Sequence, residues 1–236
     1  MTAQPAPAEA AAVPNEYGLS TLHAVPLPAE RAKLLSNLEA TSQGSPVWRA
    51  RKRAEARDLL ALEAIAPRVT VLAIELSTEL LAIVRIKVPV PCMPAHGELV
   101  VVGQVDLALR YPEEILHGPL PGAALVQIPM PRRVWHPNIG REGPQSLCLG
   151  ANVPQGLPLR EAVLGSYAAL TLQSITLDPA DSAGLMNPDA LEFWNAHTAL
   201  IPLTTAAFLD EPESSTSIDA QESSQGTNVQ GEEPTS

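Results

Sequence analysis

Residues 130–150 read MPRRVWHPNIGREGPQSLCLG, and the reading of the whole chain turns on them. The stretch opens an irregular region of about residues 130–157, lying between the strand-like AALVQI at 123–128 and a helical pattern that begins at Pro158. An unstructured connection of that length inside a compact domain usually carries function. It holds Trp135, His136, Pro137 and Asn138, and Cys148 follows ten residues beyond the Asn. A cysteine on a loop beside a sheet edge is partly exposed, as a thiol nucleophile must be. The carboxamide of Asn138 is a neutral donor for an oxygen that turns negative when a thioester carbonyl is attacked. One such donor contributes roughly 2.7–4 kcal/mol to transition-state stabilisation. Pro137 fixes its own φ and biases His136 toward extended backbone, which aims Asn138. Each residue taken singly also has a plain alternative. A cysteine between two leucines is most often a small buried hydrophobe, and His136 alone reads as a structural hydrogen-bonding residue.

Working outward, residues 28–41 read as a short helix with Leu34, Leu35 and Leu38 on one face. Gly44-Ser45-Pro46 breaks it, with Ser45 as N-cap and Pro46 at the first position of a longer helix over 46–65. Val69–Leu76 and Leu80–Val88 follow as a hairpin across Ser77-Thr78-Glu79. Leu99–Leu109 reads as a third strand running into Tyr111-Pro112, and Ala123–Ile128 as a fourth. Helical pattern resumes over 158–177 and again from Asn187-Pro188 through Leu191, Phe193 and Trp194. Helices, then a four-stranded antiparallel meander, then helices make an α+β domain.

Composition sets the limits. The chain has 236 residues, 45% of them hydrophobic but only 3% aromatic, with 24 prolines and a formal charge of −11. Residues 1–27 are Ala- and Pro-rich without a period and read as a disordered lead. Residues 210–236 carry seven acids and no Lys or Arg, and read as a disordered acidic tail. The folded domain is therefore placed at 28–209. An acidic chain without basic, aromatic-studded stretches is not expected to bind nucleic acid. The N-terminus lacks a charged n-region and an apolar h-region, and no run of eighteen apolar residues occurs, so neither a secretory signal nor a membrane partner is expected. Two cysteines, Cys92 and Cys148, exclude a disulfide framework and favour the cytoplasm. Cys92, inside VPVPCMP, reads as structural. No CxxC or HxxxH spacing joins the cysteines to His96, His117, His136 or His197, so no metal site is expected.

The order of elements and motifs resembles the ubiquitin-conjugating enzymes, which carry ubiquitin-like proteins as thioesters. That family has an N-terminal helix, a four-stranded meander, Tyr-Pro near the end of the third strand, His-Pro-Asn, a Cys-Leu and then helices. Here the sequence presents helix 46–65, Tyr111-Pro112, His136-Pro137-Asn138-Ile139, Cys148-Leu149 and helix 158–177 in that order. Leu177-Asp178-Pro179 and Met186-Asn187-Pro188-Asp189-Ala190 look like the gate loop and the start of the next helix. The resemblance covers about 46–200. It departs in two places: Asn and Cys are ten residues apart where eukaryotic members usually have eight, and the Trp that usually follows the Cys is missing. Such departures look like the divergent bacterial branch, whose operons also encode a ubiquitin-like protein, an adenylating activating enzyme and a deconjugating protease, some of them antiphage.

The resemblance implies a UBC-like fold, Cys148 as the thioester-bearing nucleophile and Asn138 as oxyanion donor, supported by His136 and Pro137. Asp181 or Ser182 falls where the family orients the incoming amine. The acyl group would arrive already activated, so neither metal nor nucleotide cofactor is expected. The basic run Arg49, Arg51, Lys52, Arg53 and Arg57 has two readings: a solvated helix face, or a docking surface for the activating enzyme, since the family uses the equivalent helix in that way. Two other functions compete. One is a non-catalytic adaptor of the same fold with an inert Cys148. The other is a papain-type cysteine hydrolase, disfavoured because its Cys normally opens a helix and His197 is the only histidine after Cys148.

Overall fold

A computed structural model describes residues 22, 24–93, 97–180 and 184–212. Two helices lead: α1 (Ala29–Thr41) and α2 (Pro46–Ile65). α2 begins where the capping signal puts it, with Ser45 Oγ accepting the Trp48 N–H at 3.1 Å and Pro46 in the first turn. The strands are β1 (Val69–Glu75), β2 (Leu80–Ile86), β3 (Val90–Cys92), β4 (Val100–Val102), β5 (Val105–Tyr111), β6 (Leu120–Pro121), β7 (Val126–Met130), β8 (Gln145–Leu147) and β9 (Asn152–Val153). Helices α3 (Leu159–Leu170) and α4 (Pro188–Ala196) close the order.

The main sheet is an antiparallel meander of five strands, ordered β1-β2-β5-β7-β8. Leu80, Ala82, Val84 and Ile86 of β2 and Val105, Leu107, Leu109 and Tyr111 of β5 alternate inward onto α2 and α3, in one core. The alternate residues Leu81 and Ile83 face outward and are about 40% exposed.

The α+β class and the hairpin at 77–79 stand as read from the sequence; the fourth strand shifts from Ala123–Ile128 to Val126–Met130, and three larger differences appear. The third strand is split at Gly103-Gln104, because β4 turns away to pair with β3 while β5 stays on β2. The region expected to be irregular supplies β8, so the meander has five strands rather than four. The helix expected over 158–177 stops at Leu170, where Leu172 adopts left-handed backbone at φ 59°. Leu172, Ile175 and Leu177 pack instead with Trp194 in a second, smaller apolar cluster.

The expected lead and tail fall mostly outside the described residues. Leu22, assigned to the lead, is nevertheless buried, and Arg57 donates to the Leu22 and Val25 carbonyls. At the other end Phe208 is buried, and Arg68 donates to the carbonyls of Ala207 and Asp210.

The basic run on α2 requires a correction. Lys52 is fully buried, and its ammonium donates to the carbonyls of Gln43, Leu76 and Ser77. Removal from water lowers its pKa, opposed by the charge of Glu113. Arg51 bonds Glu55, the Tyr111 hydroxyl and the Gly156 carbonyl, and Arg53 pairs with Glu39. Arg49 stays exposed, and the five residues do not form one outward basic face. Lys52→Met should lower the unfolding free energy by about 1–3 kcal/mol, because the buried Leu76 carbonyl and the part-buried Gln43 and Ser77 carbonyls lose their donor. Urea denaturation checks this; an unchanged midpoint would show that the ammonium is dispensable.

Candidate active site

The site is built on a hairpin. Ile139 bridges Leu147, Gly140 N–H bonds the Ser146 carbonyl, and Cys148 N–H bonds the Asn138 carbonyl at 2.8 Å. Asn138 and Cys148 are therefore cross-strand partners, and the exposed tip of the hairpin lies around Arg141–Pro144. Gln145 locks the hairpin from inside. Its side chain is buried, accepts the Val134 N–H, and donates to the carbonyls of Val134 and Gly140.

The His-Pro-Asn turn is held at both ends. Ile139 N–H bonds the His136 carbonyl across Pro137, closing a β-turn with proline at its second position. The Pro137 carbonyl accepts from both Met186 and Asn187, which ties the turn to the start of α4, and Trp194 Nε1 donates to the Trp135 carbonyl. Asn187 is the N-cap of α4, its Oδ1 accepting the Ala190 N–H.

His136 is fully buried, and its Nδ1 accepts the Asn138 N–H at 3.0 Å. In the neutral ring the proton therefore sits on Nε2. Burial pushes the imidazole down to about 4, with the Ala169 backbone pulling weakly the other way. The ring is thus neutral at physiological pH and orients Asn138 through its backbone.

Cys148 is partly exposed, and its thiol donates to the Gly150 carbonyl at 3.0 Å. Two glycines enclose it. A β-carbon on Gly122 would lie 1.7 Å from the Gly150 oxygen and 2.7 Å from Cys148 Sγ. That segment presses directly on the thiol turn, with the Gly122 carbonyl accepting the Leu149 N–H. Gly184, at φ 88°, approaches it as well. A β-carbon there would stand 2.9 Å from Asn138 Nδ2 and 3.4 Å from Cys148 Sγ. Thiol and carboxamide thus face one point, and only a glycine leaves it free. Both groups line a cavity of about 380 Å³ that runs past Gly150 to Glu161 and Ala169 on α3.

Cys148, Asn138, His136 and Pro137 are brought together as the sequence suggested. Asp181 and Ser182 lie outside the described residues. Arg49, Arg51, Lys52, Arg53 and Arg57 do not line the cavity, and neither does any described histidine. Cys92 is buried, and burial pushes its thiol up to about 11, the behaviour of a structural cysteine. Among the described residues no group of three His, Cys, Asp or Glu side chains could hold a metal ion. Sequence reasoning missed Gly122, Gly184, Gln145 and Glu161. A glycine after Pro121 reads only as a turn, and Gln145 has no periodic partner to mark it. No family model matches the chain, and neither does any curated protein or solved structure searched.

The His136 environment has a pH consequence. Its folded pKa of about 4 lies below the ordinary 6.5, so between those values the unfolded chain binds the extra proton. Stability from this group is present above pH 6.5 and is lost as pH falls toward 4, by about 3 kcal/mol. His136→Asn, which keeps an acceptor for the Asn138 N–H, should lose that component of the pH slope. Urea titrations of both proteins at pH 7 and pH 4 measure it, and parallel slopes would contradict the buried neutral ring.

Proposed function

We propose that the protein is a conjugating enzyme that carries a ubiquitin-like modifier as a thioester on Cys148 and transfers it to an amine, within a UBC-like architecture. The observation that carries this reading is the pairing of Cys148 with Asn138 across one hairpin, thiol and carboxamide facing the same cavity. In the first step the Cys148 thiolate attacks the thioester carbonyl that links the modifier to an adenylating activating enzyme. A carbon–sulfur bond to Cys148 forms, and the activating enzyme's thiolate leaves. In the second step an amine nitrogen attacks the Cys148 thioester, an amide forms, the Cys148 thiolate departs and the ammonium proton passes to solvent. Asn138 Nδ2 donates to the oxygen that becomes negative in the tetrahedral species.

The longer loop is compatible with this role. Two added residues lengthen each arm of a hairpin by one and leave the inner pairs in register, so Asn138 still meets Cys148. The hydrolase reading is weaker than the carrier reading. An unactivated amide needs a base within hydrogen-bond reach of the nucleophile, whereas His136 is buried with Nδ1 occupied and His197 stacks on Phe193. The adaptor reading is favoured by one contact, the thiol's hydrogen bond to Gly150, which a thiolate must give up. A bacterial and antiphage setting and a partner protease belong to the same proposal and rest on the resemblance alone.

Incubation with an adenylating enzyme, a ubiquitin-like protein and ATP, followed by a non-reducing gel, tests the carrier. A thiol-sensitive adduct should form and disappear in Cys148→Ala; no adduct with an active partner pair would leave the adaptor. Asn138→Ala should load nearly normally but discharge to amines roughly 100-fold more slowly. Equal losses in both steps would remove the oxyanion role.

A further inference from the structure

The basic residues that stay in solvent are unevenly placed. Lys33, Arg49, Lys87, Arg132 and Arg133 are exposed and have no acidic partner among the described residues. Lys33 and Arg49 sit on α1 and α2, whereas Lys87, Arg132 and Arg133 gather at one end of the main sheet. Ile86 pairs with Val105, so Lys87 stands opposite Gln104, just before β5. Asp106 pairs with Met130, and Arg132 and Arg133 follow directly where β7 ends. Between these points lies a cavity of about 250 Å³, lined by Arg85, Val102, Gln104, Asp106, Met130 and Pro131. Asp106 does not neutralise this end, because Arg85 already holds it through two hydrogen bonds of 2.7 and 2.9 Å.

The chain leads its own acidic end to the same place. Arg68, buried just before β1, donates to the Lys87 carbonyl and also to the carbonyls of Ala207 and Asp210. Phe208 completes that anchor, buried edge-on against Tyr167 with ring centroids 5.3 Å apart. Residues 213–236 therefore start close to Lys87, and they carry Glu213, Asp219, Glu222, Glu232 and Glu233 with no Lys or Arg. From β1 across to β7 is three strand spacings, about 14 Å, a span that a few extended residues cover. We propose that the acidic segment 213–236 docks back onto this sheet end, its carboxylates on Lys87, Arg132 and Arg133. Carboxylates form charge-assisted hydrogen bonds with such cations, and the tether at Asp210 supplies them at high local concentration. Docked there, the segment covers Arg132 and Arg133, which lead directly into the His-Pro-Asn turn, and shields them from other acidic partners. The proposal is independent of the chemistry at Cys148.

The lysine content makes this testable on the full chain. Its lysines are Lys33, Lys52 and Lys87, and Lys52 is buried. A water-soluble carbodiimide joins carboxylates to amines that touch them, and mass spectrometry locates the joined residues. Links from Asp219, Glu222, Glu232 or Glu233 should reach Lys87 within one chain, roughly fivefold more often than they reach Lys33. Raising the salt from about 20 mM to about 0.5 M should remove that preference. Reversing the neighbouring charges with Arg132→Glu and Arg133→Glu should lower the Lys87 yield roughly fivefold, although the tether is unchanged. Arg132→Lys and Arg133→Lys should keep it and add links at the two new amines. The salt series on the unaltered chain reads the same docking if a variant fails to fold. A Lys87 yield indifferent to salt and to both pairs of substitutions would mean proximity through the tether alone and overturn the proposal. Links formed only between two chains, or none from the segment to Lys87, would overturn it as well.

Discussion

One carboxylate ties the body of the protein to the wall of its cavity. Glu55, buried midway along α2, accepts the Leu159 N–H at the start of α3. α3 has a proline, Pro158, in its N-cap position and no side-chain cap of its own, so Glu55 satisfies a donor that would otherwise be orphaned. Desolvation raises the Glu55 pKa, and the Leu159 N–H and the positive charge of Arg51 work against that rise. Arg51 in turn bonds Tyr111 Oη and the Gly156 carbonyl, and Tyr111 donates to Leu157. The strand end, the helix and the segment leaving the thiol turn are thereby pinned at one point. Removing one member of such a buried set costs about 3–5 kcal/mol, since it strands the others away from water. Leu157, Glu161, Gly165 and Ala169 of the cavity all follow from where this junction sets α3.

The same helix shows why charge is a poor guide to orientation. Trp48, Lys52, Glu55, Leu59 and Leu62 recur at three- and four-residue steps and are all buried. The 3.6-residue period therefore places Lys52 and Glu55 on the core stripe, yet residue type argues for solvent. What reverses the expectation is tertiary. The β1–β2 turn presents the Leu76 and Ser77 carbonyls, and the α1–α2 link presents Gln43, all directed at one ammonium. A lysine supplies three donors on a flexible stem and can close such a ring of acceptors where a hydrophobe cannot.

Legibility at the site follows the range of the interactions. The cap at Ser45, the proline at the His-Pro-Asn turn and the two-residue alternation of β2 and β5 are local, and their sequence signals are explicit. β8 was illegible because three residues, Gln145–Leu147, are too few to display a period; pairing with β7 alone makes them a strand. Leu172 carries the spacing of a continuing helix but takes left-handed backbone as the chain turns toward the smaller cluster. Gly122 and Gly184 are ordinary turn residues in the sequence. Their close approach to Cys148 arises from segments 26 residues before it and 36 residues after it meeting over one sulfur, which no local pattern encodes.

These placements limit the chemistry open to Cys148. A buried imidazole with Nδ1 turned to the Asn138 amide neither takes a proton from the thiol nor gives one to a leaving amine. Beside the sulfur, among the described residues, stands a neutral dipole, the Asn138 carboxamide, whose donor strength does not titrate. For the proposed acyl transfer this is a selective arrangement rather than a deficient one. A thioester needs little assistance in expelling its thiolate, while a peptide bond needs its amine protonated. Among the described residues the site offers an oriented donor and no histidine as base at the sulfur, an arrangement suited to the proposed exchange of energy-rich esters rather than to cleavage of ordinary amides.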